Sequence, residues 1–220
     1  RPELGGILFD FQVTLLKLVA TDSFRLAERI ITTKHFKTET LVGSKAIIPL
    51  KTVQELQRVF TGEEHITVSI DDHQVLFEGV KTRIVSRLLG GTYPEYEQII
   101  PKRHEAHCIV DREKLMGAVR LVSTFSGRVH DIKLRIQEGT KALEVYSASR
   151  ELGENTYLVP AKTERALPEI SFNWHYLFDG LKAIATKEVI LEIQDDATPA
   201  VIKPTDDTTY LYVLMPIKAS

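Results

Sequence analysis

The sequence predicts an α+β fold in which one domain is written twice, and three observations predict it. Short apolar runs with period-two alternation fill most of the 220 residues. Only two stretches carry a clear helical stripe. The second half repeats the first at an offset of about 125 residues, far longer than a solenoid unit and therefore a duplicated domain.

In chain order, GILFDFQ, LLKLVAT, AIIPL, HITVSI, QVLFEG and TRIVSRLL read as strands, because Ile, Val, Leu and Phe alternate there between turn residues. Thr52 to Phe60 reads as a helix with Val53, Leu56, Val59 and Phe60 on one face. Asp111 to Val122 reads as another, with Leu115, Ala118, Val119 and Val122 as its stripe. Asp111 serves as N-cap there, and Lys114 and Arg120 take the solvated side. Trp174 to Ile184 is a weaker third helix, interrupted by Gly180.

Laid over each other, the halves agree element by element. DIKLRIQEG from Asp131 matches GILFDFQ, and ALEVYSASRELGE matches LLKLVATDSFRLAE. FNWHYLFDGLKAI matches PLKTVQELQRVF, and EVILEIQDD matches HITVSIDD. Each copy is expected to be a mixed sheet backed by helices on one face. The second copy opens with an extra strand and helix, HCIVDREKLMGAVRLVSTFS, which the first lacks, so the chain is expected to begin inside a domain. The expected domains are 1–102 and 105–220, joined by a linker at about 90–104, GGTYPEYEQIIPKRHEAH.

Composition narrows the class. With 43% hydrophobic and 26% charged residues the chain is an ordinary globular protein. No apolar run approaches the roughly 20 residues of a membrane span, and no signal-peptide pattern opens the sequence. A single cysteine, Cys108, excludes an internal disulfide and fits a reducing cytosol. A net charge of -2 argues against a polycation that coats nucleic acid, while leaving room for one basic inner surface.

Motifs for chemistry are few. HEAHC, His104 to Cys108, has His-x-x-His spacing instead of the i, i+4 pair that places two ligands on one helical face, and no second cluster completes a set. It reads as a linker with incidental histidines, so no metal and no cofactor is expected. Asp71–Asp72, Asp195–Asp196 and Asp206–Asp207 each lie between strand-like runs, where Asp builds tight turns on its own backbone. Gly5–Gly6 and Gly90–Gly91 lack the setting of a phosphate loop, and no GxSxG elbow occurs. A hydrolase built on Asp22, Ser23 and a distant histidine would need that histidine beside Ser23. The expectation is a binding module without catalysis.

Four motifs in order carry a family resemblance: TDSFRLAE (Thr21 to Glu28), YPEYEQIIP (Tyr93 to Pro101), SFNWHYLFDGLKAI (Ser171 to Ile184), and TPAVIKP followed by YVLMPIK (Thr198 to Lys218). With them the whole chain resembles the middle and C-terminal domains of the bacterial DNA polymerase III beta subunit, the DNA sliding clamp. The resemblance implies duplicated clamp domains, sheets outside and helices on the inner face, in a head-to-tail homodimeric ring around duplex DNA. It implies a cytoplasmic, nucleoid-associated processivity factor without enzymatic activity or membrane partner.

Helix cations would meet phosphates without reading sequence; Lys51, Arg58, Arg112, Lys114 and Arg120 are the candidates, and Leu50 stands where relatives often carry a basic residue. A peptide pocket for polymerase, clamp loader and repair factors would draw Leu4, Thr21, Ser23, Phe24, Arg25 and Leu26 from the middle domain. Pro94 and Ile99 would come from the linker, Asn173 and Tyr176 from the third helix, and Thr198, Ala200, Val213, Met215, Pro216 and Lys218 from the last strands. Phe24 replaces a common histidine and should make the trough more apolar. Lys218 replaces arginine and loses its planar fork. Ring closure is expected at Val122 to Phe125. Without the first domain the chain is expected to be monomeric. A protein-interaction scaffold with no DNA role is the rival reading.

Overall fold

The computed structural model describes residues 1–37, 42–137, 139–163 and 165–218, which form two compact units, 1–95 and 96–220. The division falls inside the stretch read as a linker.

In the N-terminal unit a 3-10 turn, Pro2–Gly5, leads into β1 (Gly6–Phe11), β2 (Leu15–Thr21), β3 (Arg25–Thr32) and β4 (Lys45–Pro49). They pair in the order β4-β1-β2-β3. Helix α1 (Leu50–Val59) follows, then β5 (Thr67–Ile70), β6 (Gln74–Glu78) and β7 (Arg83–Arg87), a separate sheet in chain order. The helix begins two residues before the expected Thr52, directly after Pro49, which lacks the backbone N–H that another strand pairing would use. Its stripe of Val53, Leu56 and Val59 packs with Phe60 on Ile48, Val75 and Phe77, so α1 ties both sheets to one core.

The C-terminal unit starts with a 3-10 turn, Tyr96–Ile99, and then β8 (Ala106–Asp111) and α2 (Arg112–Val122). Asp111 caps α2 as expected, its carboxylate accepting from Lys114 N at 3.0 Å. There follow β9 (Asp131–Ile136), β10 (Ala142–Ser149), β11 (Gly153–Thr163), β12 (Leu167–Asn173), α3 (Trp174–Lys182), β13 (Glu188–Ile193), β14 (Ala200–Pro204) and β15 (Tyr210–Leu214). The order is β12-β9-β10-β11-β8-β13-β14-β15. From β9 onward the elements reproduce β1 to β7 and α1 one for one. The difference is β8, which pairs with both β11 and β13 and so joins two half-sheets into one.

The expected mixed sheet is corrected. Every strand pairing within each unit, among the described residues, is antiparallel. Most neighbours are hairpins with short connections, and a parallel pair would need a crossover of a dozen residues or more.

Gly180 is explained by close packing. A Cβ there would stand 2.4 Å from the ring of Tyr212, whose hydroxyl donates to Tyr176 O at 2.8 Å. The glycine lets β15 approach α3, and this outweighs its cost of about 1 kcal/mol in a helix.

Each unit carries a row of alternating charge across neighbouring strands, with Asp10 in one row and Glu144 in the other largely buried by their neighbours. In the first, Asp10 on β1 lies opposite both Lys17 on β2 and Lys45 on β4, with Lys45 Nζ at 3.5 Å. In the second, Arg135 on β9 lies opposite Glu144 on β10 at 2.7 Å and reaches Glu169 on β12 at 3.7 Å.

Candidate peptide-docking and nucleic-acid surfaces

In the N-terminal unit the TDSFRLAE motif forms the tip of the β2–β3 hairpin. Asp22 Oδ1 accepts from Phe24 N at 3.0 Å and Arg25 N at 3.1 Å, and its Oδ2 accepts from Arg25 Nε at 2.9 Å. Thr21 Oγ1 donates to Arg25 O at 2.7 Å and accepts from Ser23 N at 3.2 Å. Ser23 takes φ +77° at the apex, in the left-handed region. This dense local bonding presents Phe24 to solvent with 58% of its surface exposed, a large apolar group that the unit's own core does not use. Asp22 and Ser23 thus have a complete structural role. Leu26, by contrast, is buried core.

Pro94 is placed by its neighbour. The Tyr93 hydroxyl donates to Val19 O at 3.2 Å, which fastens this segment to β2. Burial pushes the phenol up to about 12, so it stays a neutral donor. Leu4 lies in the first 3-10 turn, half-buried.

In the C-terminal unit the last residues and the start of α3 come together. Asn173 caps α3, its side chain accepting from His175 N at 3.0 Å. After β15 the chain crosses back, and Ile217 N donates to Ser171 O at 2.8 Å. The segment carrying Met215 and Pro216 is thereby strapped to β12 at Ser171, with Met215 and Lys218 exposed. The Tyr212 hydroxyl donates to Tyr176 O, which ties the first turn of α3 to β15. Thr198 is set by the Asp195 turn, whose carboxylate accepts from Ala197 N and Thr198 N; the hydrogen bonds at this turn hold that carboxyl below its ordinary range. Ala200 and Val213 are buried core. Ile99 ends the 3-10 turn and is exposed.

Two depressions of about 480 and 420 Å³ lie elsewhere in this unit, lined by residues such as His107, Lys141, Lys162 and Arg165. They include none of the expected peptide-site residues and are too open to enclose a ligand.

Of the helix cations, Lys51, Arg58, Lys114 and Arg120 are exposed. Arg58 pairs with Glu55 at 2.7 Å, and Arg120 sits 5.2 Å over the Phe178 ring. Arg112 departs from its expected role. Its guanidinium donates to Thr186 O at 3.2 Å and Leu181 O at 3.5 Å and pairs with Glu113, bracing α2 against the end of α3. One cation was missed: Lys182, exposed in the last turn of α3, is the repeat counterpart of Arg58. Overlaying the two helices residue by residue would have found it.

At the end of α2, Val122 is buried, so it belongs to the core and not to a ring-closing surface. The exposed apolar side chains nearby in sequence or structure are Leu121, and Leu152, Tyr157 and Leu158 at β11. Along Gly153–Leu158, β11 pairs with β10 on one side only within its unit; β8 covers it just from Ala161 to Thr163.

Comparison with known proteins agrees with this architecture. The family description "DNA polymerase III beta subunit, central domain" matches residues 1–95, and "DNA polymerase III beta subunit, C-terminal domain" matches residues 97–218. A beta sliding clamp of Staphylococcus aureus is 31% identical over 220 residues, covering 99% of this chain and 57% of that protein. A beta sliding clamp of Synechococcus elongatus is 27% identical over 219 residues, covering 98% of the chain and 58% of the relative. The crystal structure of the DNA polymerase sliding clamp from Bacillus subtilis superposes with a TM-score of 0.93 at 27% identity, over 100% of this chain and 58% of that one. The chain therefore spans somewhat more than half the length of the relatives it matches. Two adjacent domain matches, a relative above 30% identity and a shared duplicated α+β fold place the chain in the DNA polymerase III beta subunit family, the non-catalytic sliding clamps.

Proposed function

We propose that this chain is part of a homodimeric ring that tethers the replicative polymerase to duplex DNA in the cytoplasm, at the nucleoid. Short linear motifs from the polymerase, clamp loader and repair factors dock on it. The observation that carries the docking is the strap at the end of the chain. Ile217 bonded to Ser171 holds the segment with exposed Met215 and with Pro216 on β12, the strand that runs into the capped start of α3. Apolar anchors framed by a few oriented polar groups are what a peptide side chain needs. Within the N-terminal unit, the β2–β3 hairpin presents Phe24 at its tip as a separate exposed apolar group.

Exposed Lys51, Arg58, Lys114, Arg120 and Lys182 are the proposed phosphate contacts, Arg112 being occupied as a brace. The edge of β11 at Tyr157 and Leu158, which has no second strand partner among the described residues of its unit, is the proposed ring-closing surface toward a second protomer, since an open, apolar strand edge invites another strand.

The test titrates the protein with a fluorescent peptide carrying a polymerase-type clamp-binding motif, comparing wild type with Met215→Ala. Roughly tenfold weakening, about 1.4 kcal/mol, is the expected result; an unchanged affinity rejects the strap. In parallel, low-salt binding to duplex DNA is expected to lose about 0.9 of salt slope for each phosphate-contacting cation removed. Salt-independent binding, or none, would favour the scaffold reading.

A further inference from the structure

HEAHC, read from sequence as incidental, contributes two histidines to a charge cluster around the buried Glu192. Glu192 on β13 keeps only 9% of its side chain exposed, and His104, just before β8, only 12%. His104 Nε2 lies 3.1 Å from Glu192 Oε2, Lys203 Nζ on β14 lies 2.6 Å from the same oxygen, and His107 Nδ1 on β8 lies 3.6 Å from Oε1. Glu192 and His107 are direct cross-strand partners. Glu192 Oε2 has no aligned hydrogen bond among the described residues, so it is held by charge more than by direction.

The other nitrogen of His104 decides the chemistry. Nδ1 is buried and has no hydrogen-bond partner among the described residues. A neutral imidazole suits this position: Nε2 stands 3.1 Å from Glu192 Oε2 without an aligned hydrogen bond, and a bare Nδ1 needs no acceptor. An imidazolium does not, because its second N–H would be buried without an acceptor. Two groups oppose a charge here, Lys203 and His107, while Glu192 favours one. Burial outweighs that attraction and holds the imidazole below its ordinary value of 6.5.

The segment that His104 fastens is otherwise weakly held. Glu105 N donates to Ile193 O at 3.2 Å, the last ladder bond before β8, and the Arg165–Glu105 pair at 3.2 Å is solvent-exposed and so contributes little. We infer that His104 is a proton-sensitive latch, holding the segment Lys102–Glu105 on the C-terminal sheet while neutral and releasing it once the imidazole takes a second proton.

The sign follows from linkage. A base whose folded value is depressed leaves the released state binding more protons, so the latch is at full strength above pH 6.5 and weakens as pH falls below it. At pH 5.5, one unit below the ordinary value, a freed imidazole favours the open state by up to about tenfold.

Hydrogen exchange of the whole chain at pH 7.5 and 5.5, corrected for intrinsic rates, tests this. Protection across residues 102–105 is expected to fall, by up to about tenfold, relative to β9–β10 in wild type and to stay level in His104→Gln, which keeps a donor but does not titrate. Equal protection at both pH values in wild type, or an equal loss in the variant, overturns the latch. If His104→Gln does not fold, an NMR titration of wild type decides: His104 must titrate below 6.5, and titration at or above it refutes the inference.

Discussion

Asp10 and Arg135 hold the same position in the two copies and carry opposite charges. Asp10 lies between Lys17 and Lys45, whereas Arg135 lies between Glu144 and Glu169. The duplication has kept the row of alternating charge and inverted every sign in it. What the sheet surface requires is alternation, since opposite charges across strands stabilise and like charges destabilise.

Reversing one member should therefore hurt, and reversing its partner as well should repair. Arg135→Glu places three carboxylates side by side and is expected to lower the urea midpoint clearly. Adding Glu144→Arg should recover most of the loss. Equilibrium unfolding of the single and double variants measures this, and no recovery would show that the row is incidental.

Gly180→Ala is expected to destabilise the C-terminal unit by about 1–3 kcal/mol. The new methyl meets the Tyr212 ring, and that ring is fixed by its hydroxyl bond to Tyr176 O. Thermal unfolding reads the effect. Pairing the change with Tyr212→Leu, which removes the ring, should reduce the additional cost of the alanine.

Cys108 sits on β8 between β11 and β13, and burial pushes its thiol up to about 12. Relative to the reference value of 9.0 this means roughly 100- to 1000-fold less thiolate. Iodoacetamide at pH 8 should leave native Cys108 unmodified and label it fully in urea. Fast native labelling would show that β8 leaves the sheet readily.

The two units should also differ in local stability. β13, β14 and β15 are continuous with the rest of their sheet through β8, but β5, β6 and β7 stand as a three-strand sheet held by the α1 core and by the bond from Leu89 N to Ile47 O. Amide exchange is expected to be faster in β6 than in β14, its counterpart. Equal rates would mean that the α1 core and that bond supply the missing support.

The repeat was legible because backbone periodicity and turn residues belong to local sequence, and they survive duplication even when side chains change. α2 and its cap were legible for the same reason, since Asp111 bonds only three residues ahead. The fate of Arg112 was not legible. Its partners, Thr186 O and Leu181 O, are some seventy residues away and are brought near only by the packing of α2 on α3. Val122 belongs to the apolar stripe of α2, and its burial agrees with that stripe; its place at a ring-closing surface came from the resemblance alone. The strap was half legible: Met215 and Pro216 stood out by resemblance, while the bond from Ile217 to Ser171 depends on how β15 and β12 lie in one unit.

Tandem copies of one fold face a hazard while the chain is still collapsing, because each strand meets a structurally equivalent rival from the other copy. The inverted charges act on that choice. If β1 took β10 as its neighbour in the native register, Asp10 would face Glu144; if β9 took β2, Arg135 would face Lys17. Both wrong pairings set like charges opposite each other, and both right ones set unlike charges. The row on the sheet surface thus works as an address, directing each strand to its own copy before either core has closed.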